Sequence, residues 1–148
     1  MKAAGMKEAA MNRGFSLIEL MITVAIVAIL AAIAIPSYSA YTHRTNRTDA
    51  TRTMTFDAQA LERCYSQNFS YSPCAGVTIG TSASPQGYYS VVVTVTATPA
   101  AFNIKATAVN APQTTDSDCQ TFTLDSTGTQ GATNSSNAPN TQACWGST

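Results

Sequence analysis

Apolar and polar positions divide the chain into stretches of different period. From Phe15 to Ile35 there are 21 residues in which Glu19 is the only charge and Ser16 and Thr23 are the only other polar side chains. At roughly 1.5 Å per residue this run makes about 31 Å of helix, enough to cross a bilayer core of about 30 Å. Pro36 closes the run. It has no N–H and its ring crowds the preceding turn, so the sequence predicts a kink there. Beyond it, Thr51, Met54, Ala58, Leu61 and Tyr65 recur at spacings of three and four, which makes one apolar stripe. Arg47, Asp49, Arg52, Glu62 and Arg63 fall mostly off that stripe and read as a solvated side. The pattern predicts one helix from about Phe15 to Cys64, apolar in its first half and amphipathic in its second. Six threonines between Thr42 and Thr55 weaken the second half as an isolated helix, so it depends on packing.

The period then changes to two. "GYYSVVVTVTATP" is β-branched and aromatic, bounded by Gly87 and Pro99, and reads as a strand. "AFNIKATAV" alternates Phe102, Ile104, Ala106 and Ala108 against Asn103, Lys105 and Thr107, a strand with one wet face. Pro99 and Ala100 between them predict a hairpin turn. "CQTFTLDSTG" supplies a third strand, with Phe122 and Leu124 inward and a turn at Ser126 to Gly128. A small antiparallel sheet laid on the amphipathic stripe gives a two-layer α+β domain. Thr129 to Thr141 is Gly, Asn, Ser and Thr with hardly an apolar side chain, a composition that predicts disorder.

Composition adds a compartment to this outline. The 148 residues carry no formal net charge, and only 11 % are charged, which gives no overall signature of a nucleic-acid binder. Lys2, Lys7 and Arg13 precede the apolar run against a single acid, Glu8, and so predict a cytoplasmic flank with the rest of the chain outside. Four cysteines, all beyond residue 60, fall as Cys64 with Cys74 and Cys119 with Cys144, with no C-x-x-C. They read as two disulfides formed in an oxidising compartment. A zinc site is the poorer reading, because the only histidine, His43, lies far upstream. A Cys119–Cys144 bridge would close a loop of about 26 residues around the polar tail, worth about 3.5 kcal/mol in the chain-entropy model.

A secretory signal peptide would place its small-residue cleavage site after the apolar run. Here Gly14 precedes the run, so cutting after it removes the charged leader and keeps the helix as an anchor. Nothing suggests catalysis or a cofactor: His43 has no cysteine or serine in a nucleophilic arrangement and reads as an exposed helical histidine. For DNA, Arg63 and Lys105 are opposed by Asp116, Asp118 and Asp125, while Arg44, Arg47 and Arg52 cluster toward the membrane end. Nucleic acid is therefore not favoured as a partner.

The segment "GFSLIELMITVAIVAILAAIAIPSY" resembles the start of a type IV pilin, the class III leader and helix shared by type IV pili and type II secretion pseudopilins. The resemblance covers Arg13 to Tyr41 closely and the remainder in architecture. It implies a leader of residues 1–14 removed by a prepilin peptidase between Gly14 and Phe15, and N-methylation of Phe15. It also implies a transmembrane or filament-core helix over 15–36 and a periplasmic head over 37–148. The subunit would wait in the inner membrane as a single-pass protein until an assembly ATPase and a platform protein move it into an extracellular pilus with other pilins. In the filament Glu19 could meet the amino group of a neighbouring Phe15, and a misregistered Glu19 would be buried alone, so it acts as a register device. Glu19 also lies in the first turn of its helix, where the dipole favours an anion. Pro36 would let the helix bend as subunits pack. The pair Cys64/Cys74 with "ERCYSQNFSYSPCAG", and the closing "ACWG", resembles the PilE-like minor pilins. A minor pilin that primes assembly and supports twitching motility or adhesion is thus preferred to a major pilin or a pseudopilin. Met6 and Met11 are alternative starts that leave the same mature chain.

Overall fold

A computed structural model describes residues 15–146. The chain divides into two compact units between Tyr38 and Ser39. Both share the helix α1 (Leu17–Asn68), which contains Pro36, with helical backbone on either side of it. It runs four residues past the end that the sequence predicted.

In the first unit every described residue is exposed except Ala31, which is half-buried. Leu17 is 75 % exposed and Ile33 69 %, so this apolar surface has no cover among the described residues. By length and composition it can cross a membrane.

The second unit is the head. Five strands follow α1: β1 (Gly80–Ala83), β2 (Tyr89–Ala97), β3 (Ala100–Ala108), β4 (Thr121–Asp125) and β5 (Gln130–Thr133). They form one antiparallel sheet in chain order. Thr98 and Pro99 make the two-residue turn of the β2–β3 hairpin, where Ala97 faces Ala100. At the β4–β5 turn the Asp125 carboxylate accepts from the Thr127 and Thr129 amides at 2.9 and 3.0 Å, and Gly128 adopts φ +81°. These contacts hold the Asp125 carboxyl below its ordinary value, led by the Thr127 hydroxyl.

The core lies between one face of the sheet and one stripe of α1. Ala50, Met54 and Leu61 are fully buried against Tyr89, Val91, Ile104, Ala106 and Phe122. Burying each of Met54 and Leu61 contributes about 1.5–3 kcal/mol. The alternation read from β3 and β4 holds, with Phe102, Ile104, Phe122 and Leu124 inward and Asn103 and Lys105 exposed.

The polar tail is ordered, contrary to the compositional expectation. Residues 130–133 pair with β4 as β5, and Ala132 is 5 % exposed. A short helix, α2 (Thr141–Trp145), covers the edge of β5. The Asn140 amide donates to the Ala132 carbonyl at 2.8 Å and Trp145 Nε1 to that of Gly131 at 2.8 Å. Cys119–Cys144 closes this region with its Cα atoms 5.6 Å apart. Backbone pairing and the bridge supply the order that side-chain hydrophobicity does not.

Candidate functional site: an unpaired anchor and an arginine-lined groove

Four of the residues singled out in the sequence belong to the first unit or border it. Gly14 lies outside the described residues. Phe15 precedes α1 and is 79 % exposed. Glu19 stands in the first turn of α1, exposed, and among the described residues it has no ion pair. Pro36 lies seventeen positions further along the same helix. The head holds the cysteines. Cys64 is bonded to Cys74 and Cys119 to Cys144, with Cα separations of 5.8 and 5.6 Å.

Two charges that the sequence assigned to the solvated side of α1 are buried instead. Arg47 is 7 % exposed and Asp49 5 %. Arg47 donates from Nε to Asp116 Oδ2 at 2.7 Å and from its terminal nitrogen to Asp116 Oδ1 at 2.8 Å, a bidentate pair. It also reaches the Ala143 carbonyl at 3.4 Å and lies 3.5 Å from Asp118. Asp116 accepts further from the Asp118 and Cys119 amides at 3.1 and 3.3 Å. Burial works against the Asp116 carboxylate, yet Arg47 and the Asp118 amide outweigh it and hold the group below its ordinary value. The same contact, over the opposing effect of burial, raises the Arg47 value.

Asp49 accepts from the Ser84 hydroxyl and from the Gln86 amide at 3.2 Å, which fixes the β1–β2 turn to α1. His43 is half-buried rather than exposed: its Nδ1 donates to Gln113 Oε1 at 3.4 Å. Gln113 Nε2 donates to the Tyr89 hydroxyl at 2.7 Å. Burial pushes the Tyr89 phenol up to about 12. One extension of the sequence stripe would have found Arg47, because it lies four residues before Thr51. Its principal partner, Asp116, lies 69 residues away and carries no local signal.

Arg44, Arg52 and Arg63 remain exposed on one flank of α1, spread over roughly 28 Å of helix. Three adjoining hollows run along this flank. One of about 220 Å³ holds Arg44, Thr48 and Thr51 beside Trp145. The next, about 460 Å³, holds Arg52 and Gln59 beside Gln130 and Trp145. The third, about 590 Å³, holds Arg63 beside the β4–β5 turn. The Arg52 guanidinium lies 5.5 Å from the centre of the Phe56 ring. The acids that line these three hollows are Glu62 and Asp125, both in the third, while Arg52 also borders a further hollow of about 500 Å³ with Asp49 and Asp57. No groups of three or more metal-ligating side chains occur among the described residues.

A long apolar helix continued into an amphipathic one, packed on an antiparallel sheet with a disulfide-closed end, defines a membrane-anchored pilin. Comparison of the sequence with family models gives two matches. Residues 10–35 match the prokaryotic N-terminal methylation motif. Residues 36–123, more than half of the chain, match the model described as "Type IV minor pilin ComP, DNA uptake sequence receptor". The chain belongs to the type IV minor pilin family. Among solved structures it is similar to a type IV pilin from Shewanella oneidensis, with 34 % identity over 60 % of this chain and 89 % of that one and a TM-score of 0.46. A search of curated proteins finds no match.

Proposed function

We propose that this minor pilin is cut between Gly14 and Phe15, methylated at Phe15, held in the inner membrane by residues 15–36, and built in few copies into an extracellular type IV pilus. There it primes assembly with other pilins and supports twitching motility or adhesion. The observation that carries this reading is the apolar surface of Leu17 to Ile35, which among the described residues has no cover and holds one carboxylate, Glu19, without an ion pair. Packing against other pilin helices covers that surface, and a neighbouring amino terminus meets Glu19 in the correct register. The test is Glu19→Ala. Membrane insertion should persist, and incorporation into sheared filaments should fall at least tenfold. Undiminished incorporation would overturn the role of Glu19.

A second reading is favoured by the arginine flank. The matched family model is described as a DNA uptake sequence receptor. Arg44, Arg52 and Arg63 with Trp145 offer cations and an aromatic ring along one groove, as contact with a phosphate backbone requires. Duplex DNA should then bind with an affinity that falls as salt rises. Replacing all three arginines with glutamine should lower the salt slope by about three, one unit for each contact. Binding that ignores these substitutions would remove the reading and leave the filament role intact.

A further inference from the structure

A hollow of about 500 Å³ lies between α1 and the β1–β2 turn, and neither the filament role nor the DNA reading uses it. Helix α1 lines it with Asp49, Thr53, Phe56 and Asp57, and the turn lines it with Pro85 and Gln86. The bonds from the Ser84 hydroxyl and the Gln86 amide to Asp49 tie the two walls together, so the hollow is built into the head. Its volume is that of a small-molecule site.

The polar side chains of these walls offer mostly acceptors. Asp57 is half-buried, and among the described residues its carboxylate has neither a hydrogen bond nor an ion pair. Burial raises its value with no contact to offset the cost, so the charge opposes folding. Asp49, 5 % exposed, accepts one bond on each oxygen and keeps lone pairs to spare. Thr48, which also borders the hollow, donates its hydroxyl proton to the Thr45 carbonyl, and Thr53 donates to that of Asp49. Both hydroxyls therefore offer only oxygen lone pairs. The Gln86 side chain makes no bond among the described residues and adds a further carbonyl. Arg52 at the rim lies 5.5 Å from the centre of the Phe56 ring and pairs with neither carboxylate.

We infer that this hollow binds a primary ammonium group on an alkyl chain, carried either by a lysine of a neighbouring protein or by a free amine. An ammonium brings a positive charge and three donors with no acceptor, the inverse of what the walls present. Asp57 supplies the countercharge, and Phe56 and Pro85 supply an apolar wall for the alkyl stem. Pairing offsets the desolvation of Asp57, which no contact within the head does. Acceptors stand on both walls, which suits donors radiating from one nitrogen better than the planar fork of a guanidinium. A metal ion is a poor fit, because no third metal-ligating side chain joins the two carboxylates among the described residues. An anion is a poorer one, since it would face two carboxylates against one arginine. The inference rests on neither the filament role nor the DNA reading proposed above.

The test titrates n-butylammonium chloride into the isotope-labelled full chain in dodecyl maltoside, followed by NMR. The buffer is sodium phosphate, because Tris is itself a primary ammonium, and 1-butanol is the uncharged control. The Asp57 and Gln86 amide signals should shift saturably with n-butylammonium and not with 1-butanol. Asp57→Asn should weaken binding at least about tenfold. Its thermal midpoint should be no lower than that of the parent chain, which separates loss of the site from loss of the fold. Arg52→Gln should tighten binding, because it removes a like charge from the rim, whereas the same change removes a contact in the DNA reading. An equal response to 1-butanol, or Asp57→Asn binding that matches the parent, would overturn the inference. The source is then read by treating intact cells with a water-soluble carbodiimide, which joins a carboxylate to an adjacent amine as an amide. Mass spectrometry of the Asp57 peptide should show a lysine of another protein, marking a subunit contact, or a small amine, marking a free ligand. Neither at Asp57 would also overturn the inference.

Discussion

Arg47→Met should destabilise the head more than any surface substitution. The arginine is 7 % exposed and its partner Asp116 2 % exposed, joined by two charge-assisted bonds of 2.7 and 2.8 Å. Removing one member of a buried pair leaves the other charge without compensation and costs about 3–5 kcal/mol. For a domain of this size 3 kcal/mol lowers the thermal midpoint by at least about 10 °C. The assay is thermal unfolding of the full chain in detergent, followed by near-ultraviolet circular dichroism, for Arg47→Met, Asp116→Leu and the double substitution. The double variant should recover most of the loss, with a coupling of at least about 4 kcal/mol, because two single losses of about 3 kcal/mol or more are replaced by one of under about 2 kcal/mol. The pH dependence follows from the depressed Asp116 value. An unfolded aspartate titrates near 3.8 and the folded one lower, so the contribution is complete above 3.8 and is lost as pH falls through the folded value. The difference between the parent chain and Asp116→Asn should shrink over that range. A single-variant loss under about 1 kcal/mol, or losses that simply add in the double variant, would refute the reasoning.

Other outcomes test other parts of the head. Serine at both Cys119 and Cys144 should cost about 2–5 kcal/mol and open residues 129–141 to proteolysis, read by limited digestion. Gly131→Ala places a Cβ 2.5 Å from Thr123 Oγ1 and should cost about 1–3 kcal/mol, with Thr123→Ala restoring the midpoint. Burial raises the Asp57 value, so its charge opposes folding at neutral pH. Asp57→Asn should therefore raise the stability at pH 7 by less than about 1 kcal/mol, read as a higher thermal midpoint, and the gain should vanish as pH falls and the native aspartate takes up its proton.

Local pattern revealed the elements whose order comes from their own side chains. The stripe through Met54 and Leu61 marked the buried face of α1, and the alternation of Phe102 and Ile104 marked β3. β1 and β5 escaped because "GTSA" and "QGAT" contain no bulky apolar residue, and their order comes from pairing with β2 and β4. Arg47 and Asp49 were misassigned for a related reason. A charge on a helix reads as solvated unless its partner is visible, and Asp116 and Ser84 lie 69 and 35 residues away. The anchor was legible throughout, since an unbroken apolar run with one carboxylate needs no tertiary information to be recognised.

As proposed, this chain is a processed, low-copy subunit of a type IV pilus. Quantitative mass spectrometry of sheared, purified filaments tests it most directly. A trace amount of the chain relative to the main subunit is expected, with a mass equal to residues 15–148 plus one CH2 (a methyl group in place of one amine hydrogen) and minus four hydrogens. Filaments that lack the chain, or that carry it with residues 1–14 still attached, would contradict it.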